Sequence, residues 1–579
     1  MGEWKMASLG VLADRAALEK RWRYGLNVFG LYVGELLTDA GIPWRLLDDI
    51  SLVQTNEFDI VIVVCTAEDE KSARHLAAYA EQGGIVIGCG GLNEIARRLG
   101  AIPGPVYASG YAHLPAALGD SRPLRFAAAQ PWAAAPAAAE ASGRLTLEAP
   151  DGAPLGAALQ TFALGAGFVH RWAVDIPATI VALQQGYGPV LGDGIPAPDG
   201  SAAIDDGLLK ADDRIALSWE YDRAFTETGQ PYFAHPYADL WRDALIGHLL
   251  RTASAAGLVL PFVDPWPDGI RQVAMISHDS DLNADEAADA TLQALGRHGI
   301  QSTWCMLEPG YSRPVYERIR ADGHELAFHY NAVHMEDRYW DEADFRRQLA
   351  WCREATGAER IVSNKNHYTR FEGWGELFAW CEAAGIRSDQ TRGPSKRGNV
   401  GFLFGTCRPY VPMAWWEERN RMYDVLEIGF LTQDLGIGAW ADTSVIVPFL
   451  EQTAAVRGVA HFLCHQHYFH TRPAELEAAL EMIVEEARKR KFVFWTGARI
   501  DEWVRARRAA TITGIAADSG QPLVEGGNTP EGLVVWIPLP MERANASATD
   551  GSAQPIEYRY NRPCIRYRRN PEGTLCVGM

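Results

Sequence analysis

The chain has 579 residues, which at roughly 150 residues per domain sets an expectation of about three to four domains and excludes a single small binding module. Hydrophobic residues make up 47% and charged residues 22%, a balance that excludes disordered, collagen-like and membrane-embedded classes. The formal net charge of −19 repels phosphate backbones and anionic lipid, so neither nucleic acid nor a membrane is expected as a partner. The early residues hold no long apolar run and the 9 cysteines form no Cys-x-x-Cys pair, which sets the expectation of a reduced, cytoplasmic setting.

In chain order, a helical stretch over Val28–Ala40, a buried strand in Phe58–Cys65, a helix over Ser72–Gln82 and a strand inside Gly83–Gly91 predict a parallel α/β sheet for residues 1–105. The order helix, Gly-Gly, strand, Gly-Gly around Gly83–Gly91 resembles the flavodoxin-like domains of the glutamine-amidotransferase type, over about residues 8–105. In active domains of that type a cysteine on a tight, glycine-flanked turn is the nucleophile, the position Cys89 holds in Ile-Gly-Cys-Gly-Gly. No His-x-Glu pair follows it, so Cys89 is read as a small buried residue ending a strand and the domain as inactive.

An Ala/Pro-biased loop, Phe126–Gly143, marks a boundary, and residues 106–265 read as a mixed α+β intermediate region. Its clearest helix carries Leu240, Leu245, Leu249 and Leu250, and a linker, Pro261–Gly269, follows. Strand-like runs then recur at Gln272–Ser277, Gln301–Met306, His324–Tyr330, Arg360–Asn364, Gly385–Asp389, Val425–Phe430, Val459–His465 and Lys491–Thr496. Amphipathic helices such as Ala284–Arg297, Asp341–Ala355 and Pro473–Arg490 separate most of them, which predicts an α/β barrel of seven or eight βα units over residues 266–508. Residues 509–579 turn Thr-, Val-, Ile- and Tyr-rich and read as a small β module.

Catalytic groups of such barrels belong at the carboxyl ends of strands. The first strand ends in Asp279 and Asp281, which period 2 places on one face as a like-charge pair that calls for a cation or a proton between them. The third offers His329 and His334, the fourth runs through Lys365, His367 and Tyr368, and the seventh ends in His465 and His467. One carboxylate with two imidazoles leaves coordination positions open on a divalent ion, the pattern of a hydrolytic metal site.

These strand ends, in this order, resemble the motifs of the polysaccharide deacetylase (NodB homology) family, carbohydrate esterase family 4, over about Gln272–Arg508. The resemblance implies Asp279 as catalytic base and Asp281 as metal ligand from Ser-His-Asp-Ser-Asp, and His329 and His334 as further ligands. Lys365 stands where the family has an Arg that steers the base, and His367 replaces the usual Pro, which leaves His367 open as an alternative imidazole ligand. Tyr368 ends that motif as a substrate-binding residue, and Leu-Cys-His makes His465 the general acid. For the remaining acidic motif, Asp389 and Asp434 are both candidates. The family's chemistry implies a divalent metal, zinc being the expected ion, and hydrolysis of an acyl amide, foremost an N-acetyl group, on a carbohydrate or sugar conjugate. Aromatic faces stack on sugar rings, and the adjacent pair Trp415 and Trp416, in a polar stretch, reads as an exposed platform. Two other readings stay open: cleavage of a non-sugar C–N bond on the same barrel, and a glycan-binding protein without activity. The oligomeric state is not fixed by the sequence.

Overall fold

The computed structural model describes residues 4–119, 121–135, 138–204, 207–333, 337–438, 440–517, 519–526, 529–539, 556–569 and 575–577. Near the N-terminus, Ile60–Cys65 is apolar throughout and almost wholly buried, as a strand covered on both faces must be. It lies in a seven-stranded sheet in the order Arg45–Leu47, Leu9–Ala13, Ile60–Cys65, Ile85–Cys89, Gly167–Trp172, Leu159–Leu164 and Glu140–Ser142. The first five strands run parallel and the last two pairings are antiparallel. The boundary expected at residue 105 therefore falls inside one sheet. The hairpin Leu159–Trp172 covers the edge that Ile85–Cys89 would otherwise expose, and the Ala/Pro-biased stretch itself contains strands Trp132–Ala134 and Glu140–Ser142.

The expected barrel strands all form. Together with one short strand the sequence did not mark, Thr432–Gln433, the order is Leu426–Glu427, Ser388–Asp389, Ser363–Asn366, Glu325–Tyr330, Thr303–Met306, Gln272–Asp279, Val459–Leu463 and Thr432–Gln433, every pair parallel. Between the two outermost strands the chain keeps bonding, with Ile428 N–H on the Asp389 carbonyl at 2.8 Å and Leu431 N–H on the His461 carbonyl at 2.9 Å. One segment, residues 426–433, thus joins both edges and curls the sheet round. A short strand, Phe492–Phe494, pairs with the start of Gln272–Asp279. The intervening helices carry their own start and stop signals. Asp341 caps Glu342–Thr356 by accepting from Asp344 N–H, and left-handed Gly357 ends it.

The C-terminal strands Val534–Pro538, Ile556–Arg559, Arg562–Arg569 and Leu575–Val577 form an antiparallel sheet that takes in Phe262–Val263. Part of the expected linker is thus a strand of the last module. No helix among the described residues is long and apolar enough to cross a membrane.

A buried ion cluster ties these parts together. Asp39, at the end of helix Tyr32–Asp39, accepts from Arg507 at 2.6 Å and lies 2.8 Å from Arg242 and 3.6 Å from Arg408. Burial alone would raise its carboxyl pKa, but the three guanidiniums, Arg507 foremost, hold it far below the ordinary carboxylate range. Such a depressed group contributes stability that is complete above the unfolded carboxylate pKa and is lost as pH falls toward the folded value. Asp39→Asn takes the shared carboxylate from three buried cations, of which Arg242 keeps Asp243 at 2.9 Å, and should cost about 3–5 kcal/mol in denaturant unfolding at neutral pH, with a smaller cost in acid. An unchanged midpoint would show that the cluster contributes nothing.

Candidate metal centre and hydrolytic site

The strand-end residues converge. Asp279 is the last residue of its strand, His329 lies in Glu325–Tyr330, and His367 follows directly on Ser363–Asn366. His329 Nδ1 lies 2.8 Å from the Lys365 carbonyl, which can only accept, so Nδ1 carries the proton and Nε2 presents a lone pair. That Nε2 is 3.4 Å from Asp281 Oδ1. His367 Nδ1 lies 3.2 Å from Asn331 Oδ1, and its Nε2 is 3.4 Å from Asp281 Oδ2. One ligand atom each from Asp281, His329 and His367 falls within 4.8 Å of the others.

These three residues fit a divalent cation. His329 Nε2 and Asp281 Oδ1 are both buried without a hydrogen-bond partner, and two electron-rich atoms facing each other without a proton between them are costly unless a cation joins them. A carbonyl and an amide oxygen fix the two rings from behind, the usual outer support of imidazole ligands. Among the described residues His367 is the imidazole that joins His329 and Asp281; His334 lies outside them.

Asp279 faces a different partner. Lys365 is fully buried, and its Nζ lies 3.1 Å from Asp279 Oδ1. Burial would push the carboxyl pKa up, but Lys365, followed by His329 and His465, outweighs it and keeps Asp279 below the ordinary range. His465 completes the set. Its Nδ1 is 2.6 Å from Asp434 Oδ2, its backbone N–H donates to Asp434 Oδ1 at 2.8 Å, and its Nε2 is 3.6 Å from Asp281 Oδ2. Burial would lower the ring's pKa, but the Asp434 carboxylate raises it to about 10, so His465 holds a proton at neutral pH. Of the two acidic candidates, Asp434 is thus the one at the site. Asp389 is fully buried inside the barrel, bonded to Asn364 and Thr391.

Asp279, Asp281, His367, Asp434 and His465 border a cavity of about 590 Å³, whose wall also includes Tyr368, Ser395, Trp440, Tyr468 and Lys210. Tyr368 is 52% exposed, with its ring centroid 4.5 Å from that of His367. Lys210 was not legible as a site residue: it belongs to the intermediate region and reaches the barrel through a bridge to Arg370. The tryptophan platform is corrected. Trp415 packs 4.5 Å from Trp374 and 5.7 Å from Phe29, Trp416 lies against Gly25, and neither lines the cavity. They are half-buried because the N-terminal sheet region docks on this loop, with Asn420 accepting from Trp22 Nε1 and Val28 N–H.

Cys89 lines a separate cavity of about 210 Å³ with Glu68 and Asp175, and no histidine is among the described residues around it. Burial pushes its thiol pKa up, the reverse of what a nucleophile needs.

No family model matches the chain, and no match was found among curated proteins. Distant likenesses exist among solved structures. A provisionally named polysaccharide deacetylase from Mycobacterium smegmatis is 18% identical over 42% of this chain and 93% of that one, with a TM-score of 0.32. Another, described as involved in O-antigen biosynthesis in Bordetella bronchiseptica, is 16% identical over 39% of this chain and 93% of its own, with a TM-score of 0.27. A cold-adapted β-galactosidase from Rahnella sp. R3 is 16% identical over 30% of this chain and 29% of that one, with a TM-score of 0.24. Each likeness is slight, and what the site can do follows from its own side chains.

Two outcomes are expected. Asp281→Ala, His329→Ala and His367→Ala should each lower bound divalent metal at least tenfold by elemental analysis, on the scale of losing a ligand, while circular dichroism stays native; full metal content in all three would dismiss the centre. The purified chain should release no ammonia from glutamine; release that vanishes in Cys89→Ala would reverse the reading of that residue.

Proposed function

We propose that this chain is a metal-dependent hydrolase that removes an acyl group, foremost N-acetyl, from the nitrogen of a carbohydrate or sugar conjugate. The observation that carries the reading is the meeting of three unlike elements at one cavity: an Asp281, His329 and His367 ligand set, a carboxylate held ionised by a lysine, and an imidazole held protonated by Asp434. A divalent ion, zinc being the expected one, would be held by the first three and would supply Lewis acidity for polarising a carbonyl and acidifying water.

The chain's own groups divide the proton traffic. Asp279, ionised beside Lys365, takes a proton from the attacking water. The amide carbon becomes tetrahedral as the C–O bond forms. His465, with Asp434 fixing Nδ1–H and thereby its orientation, gives the Nε2 proton to the departing nitrogen as the C–N bond breaks. The products are an amine and a carboxylate. Tyr368, Trp440 and Tyr468 offer aromatic edges and faces around the cavity, which suits a sugar ring carrying the amide.

The pH profile tests the assignment. A histidine whose pKa is raised stays protonated up to that raised value, and acid catalysis is lost as pH climbs through it. Asp434→Asn should therefore move the basic limb of kcat/KM down toward the ordinary imidazole pKa of about 6.5. Asp279→Asn should keep the metal and lower kcat by about 10²–10⁴, the usual scale for a general base. His465→Ala should lose least on an activated ester, whose leaving group needs no proton. A basic limb that stays in place in Asp434→Asn, or metal loss in His465→Ala, would remove the acid role.

A further inference from the structure

Lys365 is a compact charge on a flexible stem, so unlike a guanidinium it cannot fix a carboxylate by two parallel bonds. Its ammonium is instead held from a second side. Nζ donates to Ser277 Oγ at 2.6 Å while lying 3.1 Å from Asp279 Oδ1. Ser277 Oγ is also 2.8 Å from His461 Nε2, and His461 Nδ1 is 3.1 Å from the Ile428 carbonyl. Ser277, Lys365 and His461 are all fully buried. The Phe430 ring closes another side, 5.2 Å from Lys365 Nζ and 6.0 Å from the His461 ring.

The direction of every bond in this chain follows from which atoms can donate. The Ile428 carbonyl only accepts, so His461 Nδ1 carries the proton. Burial, with the Lys365 charge adding to it, pushes the ring's pKa down to about 3, so the ring is neutral and Nε2 offers a lone pair. The Ser277 hydroxyl donates to that lone pair, and the lone pairs left on Oγ face the ammonium. The opposite tautomer would aim an N–H at Ser277, turn the hydroxyl proton toward Lys365 and repel it.

We propose that His461 is a positioning residue for the hydrolytic reaction: through Ser277 it fixes the Lys365 ammonium, and through Lys365 the carboxylate of Asp279. The inference rests on the function proposed above. His461 sits on strand Val459–Leu463, paired in register with Met275, and does not line the cavity, so any effect it has on turnover passes through other residues.

One test needs no turnover. In nitrogen-15 histidine spectra of the full chain, assigned against His461→Gln, His461 should show the Nδ1–H tautomer without titrating over about pH 5 to 9, the range in which an ordinary imidazole changes charge. Ser277→Ala should shift its Nε2 resonance. A ring that titrates in that range, carries its proton on Nε2, or ignores Ser277→Ala overturns the proposal. The second test is hydrolysis of para-nitrophenyl acetate and of N-acetylated glucosamine oligomers. Ser277→Ala and His461→Leu should lower kcat by about tenfold to a hundredfold, the cost of a small misplacement of a reacting group, with KM and metal content unchanged. His461→Gln, whose amide oxygen can accept the Ser277 proton, should recover part of the loss. Wild-type rates in both Ser277→Ala and His461→Leu would also overturn it. A wild-type chain that hydrolyses neither probe but shows the expected tautomer would instead count against the proposed function and leave the bond chain standing.

Discussion

Two carboxylates two residues apart, at the end of one buried strand, are the constraint around which the barrel is organised. Left to themselves, Asp279 and Asp281 would share a proton or force the strand end apart. The fold gives each a different setting: Lys365 lies beside Asp279, and the imidazoles of His329 and His367 face Asp281 as the set that would hold a cation. Because Lys365 and His367 are two residues apart at the end of one strand, Ser363–Asn366, one short stretch of chain faces both acids from across the barrel. Local spacing on two strands thus sets up a base and a ligand within one small volume.

This division explains why polar residues fill a barrel interior that could have been apolar. Ser277, Asn364, Lys365 and His461 are each fully buried, and a lone buried ammonium would be strongly disfavoured. The lysine persists because a carboxylate, a hydroxyl and an aromatic face surround it. Asp434 does the same for His465 on the other side of the cavity. The two acid–base partners therefore depend on different supports and can be perturbed one at a time.

Much of this was legible in the sequence because it obeys short-range rules. Apolar runs marked the barrel strands, and the strand-end rule pointed to Asp279, Asp281, His329, His367 and His465. Asp434 stayed ambiguous because the strand before it is only Thr432–Gln433, with no apolar signature to give it an end. Trp415 and Trp416 looked exposed because Glu417 and Glu418 follow them, while the partners that cover them, Phe29 and Gly25, lie almost four hundred residues away in sequence. Lys210 and the hairpin Leu159–Trp172 escaped for the same reason: their places depend on pairings with Arg370 and Ile85–Cys89 that no local pattern encodes. Asp434 apart, long-range docking rather than weak local signal hid these features from the sequence.

The pairing of Phe262–Val263 with Val534–Pro538 has a further consequence for how the chain comes into being. During synthesis, a strand that precedes the whole barrel must wait for a partner made roughly 270 residues later, which at about 5–20 residues per second is roughly 15–55 seconds. Throughout that interval two buried apolar side chains, Phe262 and Val263, lack the sheet that covers them. The last module then acts as a clasp, and a ribosome that stops short of it releases a chain with its barrel complete and its fastening open.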